Sequence, residues 1–159
     1  MSESRIRLNW WAILAAALAT FFLEAVWYTA FQKPWLRGIS STQEQLMSSG
    51  VNPAIPYATA FVMAAVIAAA ISCIIQLTGA QTVLRGIRIG AYVWISFVFT
   101  TFATEYAFEV KPGLFGINAG FWLFGMMLAG AIVGGWKRKS PAPGLHAVVT
   151  GPGAKTLTK

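Results

Sequence analysis

The sequence predicts an all-α membrane protein with four transmembrane helices, and three observations carry that expectation. The chain of 159 residues is 57% hydrophobic and only 11% charged, where a soluble domain carries about 25% charged residues. Its mean hydropathy is +0.62. The apolar residues fall into four blocks of more than twenty residues each, so every block can cross a hydrocarbon core of ~30 Å at a helical rise of ~1.5 Å per residue.

The first span is read over Trp10–Phe31. Arg5 and Arg7 ahead of it resemble the start of a secretory signal, but the apolar run continues to Phe31, well past the h-region of about 7–15 residues that such signals use. It is therefore expected to be retained. A loop follows from Gln32 to Pro53. Within it Ser41-Thr42-Gln43-Glu44 fits a capping box and Gly50 a helix stop, which predicts a short interfacial helix of about two turns.

The second span is read over Ala54–Leu77, where Pro53 and Pro56 suit a first helical turn. Thr82 is a candidate N-cap for the third span, Val83–Phe108. The fourth runs from Leu114 to Trp136 and ends at Lys137-Arg138-Lys139. The chain thus divides into an N-terminus over 1–9, a transmembrane domain over 10–136 and a basic tail over 137–159. Rich in Pro, Gly and Thr, the tail is expected to be mobile unless a partner protein holds it.

Charge placement orients this arrangement. With both termini cytoplasmic, nine Lys and Arg residues lie inside, against only Lys33, Arg37 and Lys111 outside. That is the positive-inside pattern, with Trp27, Tyr28 and Trp35 at the outer interface. The net charge of +7 does not point to nucleic acid, because the basic residues sit at span ends and in the tail rather than along one face.

Small residues recur at four-residue spacing: Ala60, Ala64 and Ala68, then Gly86 and Gly90, then Gly116/Gly120 and Gly130/Gly134. In lipid such positions let helix backbones approach closely. They are expected to pack the bundle, with contact to other membrane protein subunits or a second copy as the alternative use.

Two glutamates stand inside apolar spans, each closing the same phrase: Thr20-Phe21-x-x-Glu24 and Thr101-Phe102-x-x-Glu105. The later phrases Lys33-Pro34-Trp35-Leu36-Arg37-Gly38 and Lys111-Pro112-Gly113-Leu114-Phe115-Gly116 also correspond. The repetition suggests two parallel two-helix repeats related by an axis along the membrane normal, with Glu24 and Glu105 at equal depth. A carboxylate within a span is costly and marks a candidate site. Close together, the two would share a proton or hold a cation with Asn118, Tyr28 and Thr101. The alternative is that each serves only packing.

Other chemistries find little support. All five acids are glutamates, Cys73 is the only cysteine, and the only histidine, His146, lies in the tail. A Ser-His-Asp triad, a zinc site and histidine ligation of haem within the spans are thereby excluded. No phosphate-binding or dinucleotide fingerprint occurs. No cofactor, catalytic residue or metal is expected. The seven tryptophans and eleven phenylalanines fit aromatic belts, although a lipid or other hydrophobic ligand remains compatible with them. Glu109 is expected to pair with Lys111 or Lys33 at the interface.

Several phrases carry a resemblance: Asn9-Trp10, Trp27-Tyr28, Lys33-Pro34-Trp35, Thr42-Gln43-Glu44-Gln45-Leu46, Thr100-Thr101, Phe108-Glu109, Leu114-Phe115-x-Ile117-Asn118-Ala119-Gly120 and Gly130-Ala131-Ile132. Over residues 8–136 the chain resembles a bacterial family of small four-helix membrane proteins known only as a domain of unknown function. The resemblance implies the fold and a bacterial inner-membrane location, and it implies no activity. In that pattern the Glu24 position is usually glycine and the Glu105 position neutral. An aromatic-histidine pair often follows Ile-Asn-Ala-Gly, where this chain has Phe121-Trp122.

Together these features lead us to expect a non-enzymatic accessory or scaffold subunit that packs against other membrane proteins. The alternative expectation is a small oligomeric proton- or cation-coupled transporter using Glu24 and Glu105.

Overall fold

A computed structural model describes residues 6–79 and 81–136. The basic tail with His146, and Arg5, lie outside the described residues. Four candidate membrane spans are present: Trp10–Ala30, Ala54–Leu77, Val83–Glu109 and Pro112–Gly135. Their boundaries lie within about two residues of those expected from apolar run length.

The first span is α1 (Trp10–Ala30), opened by Asn9, whose side chain accepts from the Ala12 N–H. At Phe31 the chain breaks and α2 (Gln32–Gly38) begins. Proline explains the break. Pro34 has no N–H to offer the Ala30 carbonyl, and its ring crowds that same carbonyl. The loop expected from Gln32 onward thus begins as two turns of helix. Next comes α3 (Gln43–Met47), a single short helix with a full capping box. The box is made by Thr42 and Gln45, one residue later than expected: the Gln45 side chain accepts from the Thr42 N–H at 2.8 Å and the Thr42 hydroxyl accepts from the Gln45 N–H at 3.2 Å. Beyond it Gly50 takes a positive φ of 73°, a conformation glycine adopts at little cost.

The second span is α4 (Ala54–Leu77). The third is composite: α5 (Val83–Val93), a π-helical stretch over Trp94–Phe99, and α6 (Thr100–Glu109). Thr82 caps α5, accepting from the Arg85 N–H at 3.2 Å. The fourth span, α7 (Pro112–Gly135), starts with proline in its first turn and ends at Trp136. There Gln81 donates to the carbonyls of Val133 and Trp136, both at 2.9 Å. Two orphan carbonyls at the helix end are thereby satisfied.

Each half of the chain forms a hairpin, α1 against α4 and the third span against α7, as two two-helix repeats would require. The crossings differ in kind. In the first half, Ala12, Ile13 and Ala16 join Ala68, Ile71 and Ile75 in one buried cluster that also takes in Met126 and Val133 of α7. In the second, backbones touch. A Cβ at Gly86 or Gly130 would overlap the carbonyl of the other glycine, and one at Gly134 would come within 2.5 Å of the Thr82 carbonyl. Gly86, Gly90, Gly130 and Gly134 therefore serve the α5–α7 crossing. Gly116 is different, with open space where a Cβ would stand.

Candidate functional site

The construction of the site starts on α7, which packs against α1, α4, α5 and α6. Four consecutive residues near its start, Ile117-Asn118-Ala119-Gly120, each receive a contact from another element. The indole of Trp27 donates to the Ile117 carbonyl at 3.0 Å, and its ring lies where a Gly120 side chain would extend, 3.1 Å from that hypothetical Cβ. The indole of Trp94 donates to the Ala119 carbonyl at 2.8 Å. The Asn118 side chain accepts from the Tyr28 hydroxyl at 2.9 Å and donates to the Tyr106 hydroxyl at 2.6 Å. Ile117-Asn118-Ala119-Gly120 is thus the junction of the bundle.

The π-helical stretch fits this junction. Trp94 and Tyr106 are twelve residues apart, which in an uninterrupted α-helix would leave their side chains about 120° apart. Both nevertheless reach the start of α7. The wider turn over Trp94–Phe99 takes up the angular deficit, the kind of insertion found at positions with a specific task.

Beside the junction lies an open cleft of about 530 Å³, floored by α1 and walled by α2, α3 and the start of α4. From α1 it is lined by Phe21, Glu24 and Tyr28, whose i, i+3, i+7 spacing forms one helical stripe. Trp35 of α2 meets Tyr28 edge-on, with ring centroids 5.7 Å apart. Tyr57 of α4 meets Phe21 edge-on at 6.4 Å. Gln32 of α2 donates to Gln43 of α3 at 3.1 Å, and both line the cleft. The kink at Phe31 is what swings Trp35 and Gln32 over the stripe.

Glu24 is half-buried in this wall. Among the described residues it makes no ion pair or hydrogen bond, and no basic side chain lines the cleft.

The expected site residues are therefore brought together only in part. Glu24 and Tyr28 share the cleft wall, and Tyr28 is bonded to Asn118. Glu105 and Thr101 are exposed on α6 and do not line the cleft. The reason is packing: α1 and α6 both lie on α7 and form no interface with each other, so equivalent places in the sequence do not make the carboxyls neighbours. Glu109 pairs with Lys111 at 3.2 Å, half-exposed on both sides, a contact worth at most about 1 kcal/mol. Sequence reasoning missed Tyr106, one residue from Glu105, because an aromatic at a span end fits an interfacial belt equally well. Among the described residues no group of three or more His, Cys, Asp or Glu could hold a metal ion.

A family model described as a protein of unknown function (DUF1761) matches residues 11–134. The chain belongs to that family. The DUF1761 match takes in all four spans, the junction on α7 and the whole cleft. No curated protein and no solved structure matches the chain.

Proposed function

We propose that this protein is a non-enzymatic membrane protein that works by binding, with the cleft between α1, α2, α3 and α4 as the receptor for a small hydrophobic molecule. One observation carries the reading: a cleft of about 530 Å³ with mainly apolar and aromatic walls and a few polar groups converging on it. Ligand sites of about 300–1,000 Å³ have this composition. The excess of Lys and Arg at one set of span ends supports a topology with both termini cytoplasmic.

Native mass spectrometry after gentle detergent extraction tests the reading. The expected result is one small-molecule adduct per chain, lost when Ala60→Trp fills the cleft. An adduct that persists in A60W, or none in the unaltered protein, overturns it.

A second reading, an accessory subunit packed against other membrane proteins, is favoured by the third span. Only 17% of its apolar window is buried, against 39% for α7, and it carries Glu105 exposed on α6. A lipid-facing carboxylate is costly, and a neighbouring protein would cover it. The same extraction reads this out as a stoichiometric second polypeptide that is lost in Glu105→Leu.

A further inference from the structure

We infer that the cleft selects an organic monocation, a quaternary ammonium or phosphonium with apolar substituents, and that Glu24 is its counter-ion. The inference rests on reading the cleft as a ligand site and adds the charge of the ligand.

Glu24 stands between Phe21 and Tyr28 on one stripe of α1, and both rings belong to edge-to-face pairs that extend the aromatic wall to Tyr57 and Trp35. The cleft thus offers one carboxylate set among aromatic side chains. It offers no basic side chain, and among the described residues Glu24 has no hydrogen-bond partner. Ligand classes can be ranked on that basis.

An anion would meet Glu24 head-on with nothing to offset it. A neutral molecule would displace water from the carboxylate and leave it unpaired, which is costly. A calcium or magnesium ion needs about six oxygen ligands or retained waters, and one carboxylate cannot supply that shell. An organic cation satisfies every feature at once. Its charge pairs with Glu24, its diffuse positive surface lies on the aromatic faces, and its apolar substituents fill the remaining volume.

The test uses the intact chain in nanodiscs, with chain-free nanodiscs as the blank. Tetraphenylphosphonium is titrated alongside neutral triphenylphosphine oxide, against the unaltered chain, Glu24→Gln and Glu105→Gln. The expected result is saturable binding of one tetraphenylphosphonium per chain, at least tenfold tighter than the neutral probe. Glu24→Gln brings the two probes to similar affinity while retaining the neutral one, which shows that the cleft is still folded. Glu105→Gln leaves the preference intact, which separates a site from general attraction to a membrane carboxylate.

Equal affinity for both probes, unchanged by Glu24→Gln, overturns the cation inference and leaves the cleft as a site for neutral molecules. Loss of the preference in Glu105→Gln as large as in Glu24→Gln also overturns it. Binding of neither probe overturns the inference and the cleft reading together.

Discussion

The hydroxyl of Tyr28 donates to the side-chain oxygen of Asn118 at 2.9 Å, joining two residues 90 positions apart in the chain. Asn118 in turn donates to Tyr106, so one amide links three spans. Asn118→Leu removes both bonds and leaves two phenols to find other partners. Hydrogen bonds between membrane helices are individually modest, and the pair is expected to contribute about 1–2 kcal/mol. Thermal unfolding in detergent measures the loss. Tyr28→Phe should cost less in the Asn118→Leu background than alone, because the two residues share one bond.

The α5–α7 crossing and the start of α7 should respond oppositely to the same substitution. Gly130→Ala drives a methyl group into the Gly86 carbonyl, where backbone cannot yield without separating the helices. The expected cost is about 3 kcal/mol. Gly116→Ala meets nothing within 4 Å and gains helix propensity, so it should stabilise by up to about 1 kcal/mol. Melting temperatures of the two variants, compared in one detergent, decide the matter; equal effects would contradict the crossing geometry.

Thr20 is 3% exposed, and among the described residues its hydroxyl has no hydrogen-bond partner. Thr20→Val keeps the shape and removes the unsatisfied group, so a gain of about 1 kcal/mol is expected. The neighbouring Gly125, whose hypothetical Cβ lies 3.3 Å from the Thr20 methyl, is undisturbed by the change. A fall in melting temperature in Thr20→Val would mean that the hydroxyl does bond within the folded protein.

Val110 closes α6 with φ 54° and ψ 44°, in the left-handed region, and is largely exposed. For a β-branched residue that conformation costs about 1–2 kcal/mol, and glycine accepts it freely. Val110→Gly is therefore expected to raise stability by about 1 kcal/mol, the strain relief being partly offset by the greater freedom of the unfolded chain. An unchanged melting temperature would show that the lysine–glutamate turn after α6 tolerates the strain without cost.

The four spans were legible because hydrocarbon thickness sets a minimum apolar length, and no local competitor produces such runs. Caps were nearly as legible: Thr82 was found where expected, and the box at Thr42 was displaced by one residue because Gln45 and Glu44 both fit the pattern. α2 was not, since proline and glycine commonly interrupt helices, although a proline in a first turn such as Pro34 permits one. The π-helical stretch over Trp94–Phe99 leaves no local mark. It is set by where Trp94 and Tyr106 must arrive on α7, a tertiary demand.

The repeated glutamate phrases taught a narrower lesson. Equivalence in sequence says nothing about which helices face one another. Glu24 lines the cleft and Glu105 does not. The junction residues had been visible as a phrase, yet nothing in Ile117-Asn118-Ala119-Gly120 reveals that two of its contacts are made by backbone carbonyls.

That junction also bears on biogenesis. Trp27, Tyr28, Trp94 and Tyr106 all direct their polar atoms to α7, the last of the four spans to leave the ribosome. Until it inserts, the first and third spans carry indoles and phenols without the hydrogen-bond partners that α7 gives them. The nascent chain therefore passes through an interval in which the first and third spans are inserted without this junction, and arrival of the fourth span joins the two in one step.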